Sequence, residues 1–136
     1  MFRQDFSFLL LQGEKMVAIR NWKDSTPVVA HDSAIVWRLF LEKGNEDMAY
    51  QDAPLEGIQC ITLHRMQAGK SGDYHLHEDR EQVYYFTDGC AKMKIDDVIY
   101  PVKKGDAVCV PPKARHQLIN DSDDWVEHLI VSAWVR

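Results

Sequence analysis

The stretch Gly69-Lys-Ser-Gly-Asp-Tyr-His75-Leu-His77-Glu-Asp-Arg-Glu81-Gln82-Val-Tyr-Tyr-Phe-Thr-Asp-Gly89 decides how the rest of the chain is read. It opens as a polar, glycine-punctuated loop. From Gln82 to Thr87 it becomes an aromatic strand, and it stops at Asp88-Gly89, a strong hairpin-turn signal. On an extended strand residues i and i+2 share a face, so His75 and His77 are expected to point the same way. Two imidazoles held close together call for a metal ion, because neutral imidazole is a good ligand for Zn, Fe, Ni and Cu. A bare His-x-His would be read as two surface histidines, and the spacing around it has to decide. Glu81 and Gln82 are adjacent and therefore face opposite ways, so only one of them can enter a barrel. Gln82 carries Tyr84 and Phe86 on its face, whereas Glu81 carries Val83, Tyr85 and Thr87.

Outward from this stretch, the chain from residue 57 onward reads as short β segments with turns between them. Ile58–Met66 alternates and is rich in β-branched residues. Ala91–Ile95 alternates and turns at Asp96-Asp97. Val98–Val102, Ala107–Val110, His116–Ile119 and Trp125–Val135 follow, separated by Lys103–Asp106, Pro111-Pro112 and Asn120–Asp124. Turn signals recurring at intervals of about 8–12 residues predict an all-β barrel or sandwich. Val17–Trp22 and Ala34–Leu41 are candidate further strands, and helical periodicity is weak everywhere.

The composition, 46% hydrophobic and 27% charged over 136 residues, is that of one globular domain with a core of its own. Sixteen Lys and Arg against 21 Asp and Glu give a formal charge of −5, which argues against a nucleic-acid partner. No run of about 18 apolar residues exists, so no membrane-spanning segment is expected. Phe6–Leu11 is too short for a signal-peptide core and is read as a short strand or a hydrophobic flap. Met16 reads as an alternative start, which would make residues 1–15 an N-terminal extension whose apolar side chains need a cover. Cys60, Cys90 and Cys109 are odd in number and widely spaced. Each lies in an apolar context typical of a buried small residue, so they are expected to be free thiols in a reducing cytoplasm.

Two spaced patterns carry a resemblance. Gly69, His75, His77, Gln82 and Gly89 stand at the intervals of the first motif of the cupin superfamily, G-x5-H-x-H-x3–4-E-x6-G, with Gln82 where Glu is usual. Gly105, Pro111, Lys113, His116 and Asn120 resemble the second, G-x5-P-x-G-x2-H-x3-N, with Lys113 in place of Gly. Both patterns occur in the right order with a short spacer, and together they cover Gly69 to Asn120. The glycines fall where turns need them, and Asn120 can hydrogen-bond its own turn. Lys113 is expected to distort the turn before His116.

The resemblance implies an all-β, double-stranded β-helix (jelly-roll) barrel, a single cupin domain over residues 1–136 with residues 57–136 as the conserved barrel. It implies one divalent metal ion (Mn, Fe, Co, Ni or Zn) on His75, His77, His116 and a fourth side chain. Gln82 is that fourth ligand, with Glu81 as the alternative. His64 is a candidate general base or substrate contact, with an outer-face position as the other reading. His128 is given a structural role, His31 none, and Tyr84, Phe86 and Trp134 are core or pocket walls. The function implied is metal-dependent isomerase- or lyase-type Lewis-acid chemistry on a small carboxylate or sugar-like metabolite. An Fe-type dioxygenase and a non-catalytic small-molecule sensor are the alternatives. A cytoplasmic homodimer is expected, because cupin barrels pair through their sheets.

Overall fold

The computed structural model describes residues 8–12, 15–44 and 52–136. The strands are β1 (Phe8–Gln12), β2 (Lys15–Ile19), β3 (Val28–Ala30), β4 (Ala34–Leu41), β5 (Ile58–Met66), β6 (Arg80–Asp88), β7 (Cys90–Ile95), β8 (Val98–Lys103), β9 (Ala107–Val110), β10 (His116–Ile119) and β11 (Val126–Trp134). The one helical element among them is a 3-10 turn, Trp22–Asp24, capped by the Asn21 side chain. No helix is long and apolar enough to cross a membrane among the described residues. Of Phe6–Leu11, residues 8–11 lie in β1, and Phe6 and Ser7 fall outside the described residues, as do most of residues 1–15.

The fold is a double-stranded β-helix. One sheet has the order β3-β4-β5-β11-β6-β9, a second has β10-β7-β8, and β1 and β2 form a hairpin that pairs with no other strand among the described residues. Alternation builds the inside. In β6, Gln82, Tyr84 and Phe86 are buried while Glu81, Val83 and Tyr85 are exposed. In β11, Val126, His128, Ile130 and Ser132 are buried. Phe86, Met93 and Val126 are fully enclosed, and each such side chain contributes roughly 1.5–3 kcal/mol of hydrophobic stabilisation.

Register turns this alternation into rows across the large sheet. Val36, His64, His128 and Phe86 lie on one row, and Arg38, Thr62, Ile130, Tyr84 and Val108 on the next. Cys60, Ser132, Gln82 and Val110 form a third. Strand parity therefore gives Arg38 the inward side of β4, and Arg80 the side of Gln82 on β6.

Turn chemistry matches the predicted sites. Asp96 and Asp97, with φ of 46° and 67°, close the β7–β8 hairpin. Gly89 has φ 79°, and a Cβ there would meet the Trp125 carbonyl oxygen at 2.5 Å, so no other residue fits. Lys113 adopts φ 68°, the left-handed position that Gly fills without strain, and its N–H donates to the His77 carbonyl at 2.7 Å. The turn before His116 is thus kept, with strain at Lys113 in place of distortion. The Asn120 side chain closes its own turn by accepting from Ser122 N–H at 3.1 Å and donating to the Asp124 carbonyl at 2.9 Å.

The cysteines correct an expectation. All three are free, but Cys90 and Cys109 are exposed and Cys60 is half-buried. Cys90 precedes the inward Ala91, and Cys109 precedes the inward Val110, so parity turns both outward. An apolar neighbourhood in sequence is not a buried one in a strand.

Candidate metal centre and its cavity

His75 and His77 do not lie on a regular strand. They occupy the irregular segment between β5 and β6, where His75 makes an isolated antiparallel bridge with His116 at the start of β10. The His75 N–H donates to the His116 carbonyl at 3.1 Å and the reverse bond is 2.7 Å. With the Lys113–His77 backbone bond, this stitches the first motif to the second. The His75–His116 ring centroids are 4.4 Å apart, His75–His77 4.9 Å and His77–His116 5.5 Å.

One ligand atom from each of His75, His77 and His116 lies within 4.8 Å of the others. The Nε2 atoms of all three are buried without a hydrogen-bond partner, and so is Oε1 of Gln82. Four buried polar atoms without a partner are costly unless something occupies the space between them. Gln82 is 8% exposed and its Nε2 donates to Ser132 Oγ at 2.8 Å, which leaves the amide oxygen as the unmatched atom. Glu81 is exposed on the opposite face.

The other ring nitrogens define the tautomers. His116 Nδ1 donates to the Ala114 carbonyl at 2.9 Å, and His75 Nδ1 to the Asp73 carbonyl at 3.1 Å with the Asp73 carboxylate at 3.2 Å. Both arrangements leave Nε2 as a lone pair, the usual outer support of a metal-binding histidine. His77 differs. Its Nδ1 faces Arg80 Nη2 at 2.8 Å, and a guanidinium can only donate. That contact places the His77 ring proton on Nε2, so ligation through Nε2 requires Arg80 to release Nδ1. With that one adjustment the donor set fits a divalent ion.

Burial and neighbouring charges favour the neutral form of His77 and His116. Burial, then the Arg80 charge and the neighbouring histidines, push His77 down to about 4. Burial also lowers His116, against the opposing bond to Ala114. Neutral imidazole is the form that binds metal.

Beside the three histidines lies a cavity of about 210 Å³ whose walls include His31, Arg38, His64, His77, Arg80 and Gln82. A larger concavity of about 490 Å³ lies at Tyr100, Pro101 and Val108 and contains no histidine. Convergent polar groups, not volume, single out the smaller one as the candidate site.

His64 faces inward, 4% exposed, with its Nε2 2.8 Å from Thr62 Oγ1. Burial, then the His128 and His31 rings, push it down to about 2. His128, 2% exposed, stacks between His64 at 5.0 Å and Tyr84 at 5.3 Å, with Nδ1 unpartnered. Burial lowers it to about 3 and raises the Tyr84 phenol. Tyr84 and Phe86 are enclosed as core, and Trp134 is half-buried, its Nε1 donating to Glu42 at 2.7 Å.

Sequence reasoning missed His31. It sits at φ 51° in the β3–β4 turn, stacked on His75 at 5.0 Å, with Nδ1 3.0 Å from Asp73 Oδ1. Burial would raise Asp73, but the His31 hydrogen bond and the charges of His75 and His31 hold it below the usual carboxylate range. The signal was the sharp Ala30-His31-Asp32-Ser33 turn, but nothing local says which barrel wall such a turn reaches. Arg38 and Arg80 were likewise unassigned.

A sequence model described as the cupin domain matches residues 62–132. A 46-residue stretch is 39% identical to an uncharacterized protein of Methanocaldococcus jannaschii; it covers 34% of this chain and only 37% of that protein. Among solved structures, a predicted oxalate decarboxylase from Thermotoga maritima superposes with TM-score 0.70 at 17% identity, over 85% of this chain and 97% of its own. A sugar phosphate isomerase from Silicibacter pomeroyi gives 0.58 at 20% identity, over 76% and 60%.

Proposed function

The chain belongs to the cupin domain family, and from that premise we propose that it is a metal-dependent enzyme acting on a small carboxylate or sugar-like metabolite by isomerase- or lyase-type chemistry. The observation that carries the reading is the convergence of four buried, unpartnered donor atoms: Nε2 of His75, His77 and His116, and Oε1 of Gln82. A divalent ion held there (Mn, Fe, Co, Ni or Zn) would supply Lewis-acid polarisation of a substrate oxygen, undiminished by any anionic ligand. Asp73 and the Ala114 carbonyl orient the rings of His75 and His116.

The proton-moving role offered to His64 fits it poorly. A ring with a pKa of about 2 is neutral at any ordinary pH and far from the matched value a general base needs. We assign His64 a hydrogen-bonding role in the cavity wall, and the proton transfer to His31. His31 borders the same cavity, and its Nδ1 is paired with the Asp73 carboxylate, the arrangement that holds an imidazole for base catalysis. The names of the two structural neighbours, one a carboxylate enzyme and one a sugar phosphate enzyme, accord with the proposed substrate classes. The oxygenase alternative drew on Glu81 as ligand, and an exposed Glu81 does not support it. We also propose a cytoplasmic homodimer. The free thiols support the compartment, and the β1–β2 hairpin, which pairs with no other strand among the described residues and exposes Val17 and Ile19, supports the dimer.

Elemental analysis of the purified chain should find one divalent ion per protomer, lost in His75→Ala/His116→Ala. Full retention in that double variant would overturn the metal reading. A panel of small carboxylates and sugars, followed with and without an oxygen electrode, then tests the reaction. His31→Gln should keep the metal and lose turnover.

A further inference from the structure

Resting on that reading of the site, we propose that the cavity beside the histidines is an anion site in which Arg38 and Arg80 hold a carboxylate or phosphate of the substrate. The argument starts from parity. Arg38 follows Ala34 and Val36 on the inward side of β4, and Arg80 precedes Gln82, Tyr84 and Phe86 on the inward side of β6. Strands β4 and β6 are separated by β5 and β11, so the two guanidinium groups approach the cavity from different parts of the sheet, and both line it.

A guanidinium group with a buried nitrogen is normally paired with a carboxylate, and Arg80 is not; Arg38 is exposed along the same cavity wall. Arg38 makes no hydrogen bond or ion pair among the described residues. Arg80 stacks over Trp134 at 5.5 Å, uses one nitrogen on His77, and leaves its buried Nε without a partner. No carboxylate among the described residues lines the cavity, and outside it Glu42 accepts from Trp134 Nε1 while Asp52 is paired with Arg20. The result is a doubly positive cavity in a chain whose net charge is −5, a local inversion that concentrates anions. The guanidinium fork is the side chain best suited to planar carboxylate and to phosphate. The size agrees. At roughly 30 Å³ per water, a cavity of about 210 Å³ takes some seven waters, or one small metabolite.

The test is a calorimetric titration of inorganic phosphate, and separately of malonate, into the full chain as purified and after chelation. The chelated wild type should bind at least one of the two anions. The tighter of them identifies the source, phosphate ester or carboxylate. Arg38→Ala, at an exposed position, should weaken binding at least tenfold, Arg80→Gln should do the same, and Lys103→Ala on the far sheet should change nothing. Circular dichroism confirms that each variant is folded, and Arg38→Gln serves in place of any Arg38→Ala sample that is not. The double variant His75→Ala/His116→Ala should still bind the anion, which separates this proposal from the metal reading. Binding that vanishes on chelation would assign the anion to the metal alone, and unchanged affinity in Arg38→Ala and Arg80→Gln would remove the arginines from it. Either result overturns the proposal.

Discussion

Replacing Gln82 by Glu should make the metal-free protein less stable and the metal complex tighter, and the two effects have separate causes. Gln82 is 8% exposed, with Nε2 on Ser132 Oγ and Oε1 unmatched. A carboxylate in that position exchanges a neutral amide for a poorly solvated charge. Ser132 can turn its hydroxyl to donate, which limits the destabilisation to about 1–3 kcal/mol. For a chain of this size that lowers Tm by about 4 °C per kcal/mol. With a divalent ion present the same charge gains attraction at ligand distance, largely offset by desolvation, and a net tightening of about ten- to a hundredfold is expected, or about 1.4–2.7 kcal/mol. Thermal scans with and without excess Mn²⁺ or Zn²⁺ should therefore show a lower metal-free Tm and a wider gap between the curves, while isothermal titration gives Kd directly. Gln82→Ala should weaken binding, and Glu81→Ala, on the solvent face, should not. If Glu81→Ala loses the ion and Gln82→Ala keeps it, β6 is shifted by one residue, because a single-residue slip exchanges the faces of a strand, and the ligand assignment fails.

Acid should destabilise the protein from about pH 6.5 downward, since His64 and His128 ionise near 6.5 when unfolded but are held to about 2 and about 3 in the fold. The unfolded chain binds more protons across that window, so stability is complete above it and falls by up to ~1.4 kcal/mol per pH unit per group. Urea unfolding at pH 7 and 5.5 measures the slope, to which the lowered His77 and His116 also contribute, and His128→Phe should make it shallower by one group's share. Lys113→Gly should stabilise by about 0.5–1 kcal/mol by relieving the left-handed backbone, whereas Lys113→Val should destabilise by about 1–2 kcal/mol; denaturant midpoints decide the sign. If an anion draws Arg80 away from His77 Nδ1, phosphate should tighten metal binding several-fold, and the metal should tighten phosphate by the same factor; a metal Kd that phosphate leaves unchanged would refute the coupling. Light scattering should give a dimer at micromolar concentration, weakened by deletion of residues 1–15, and a clean monomer would refute the association.

What the sequence made legible is what period and turn chemistry encode. Strands such as Ile58–Met66 and Ala107–Val110 have the predicted limits, because alternation and turn residues are local properties. Parity also separated Gln82 from Glu81, and their burial follows it. His75 and His77 converge for a different reason from the expected one. They are held by backbone bonds to His116 and Lys113, not by a shared strand face. His31, Arg38 and Arg80 were illegible because their meaning is tertiary. A positive-φ histidine at residue 31 reaches a ring 44 positions away, and Arg38 becomes a cavity wall only once β4 is paired to β5 in register. The cysteines fail in the opposite direction, since apolar neighbours say nothing about which side a strand residue takes.

Arg80 ties the two halves of the site together. It is stacked on Trp134, joined to His77 through Nη2, and set on the inward side of β6 two residues before Gln82. While it donates to His77 Nδ1, that ring carries its proton on the nitrogen a metal would need. Releasing His77 requires an alternative acceptor for the guanidinium, and no carboxylate among the described residues lines the cavity. An incoming anion is the charged acceptor that the cavity walls do not supply. The ligand set is neutral, the cavity carries two guanidinium groups, and the fourth donor is an amide where a carboxylate is usual. A divalent ion would add positive charge to a site that is already positive. Each of these features is unfavourable alone, and all are relieved by one event, the entry of a small anionic molecule that reaches both the ion and the arginines. On this account the replacement of Glu by Gln82 and the inward arginines are parts of one electrostatic arrangement, in which the substrate supplies the negative charge that the protein leaves out.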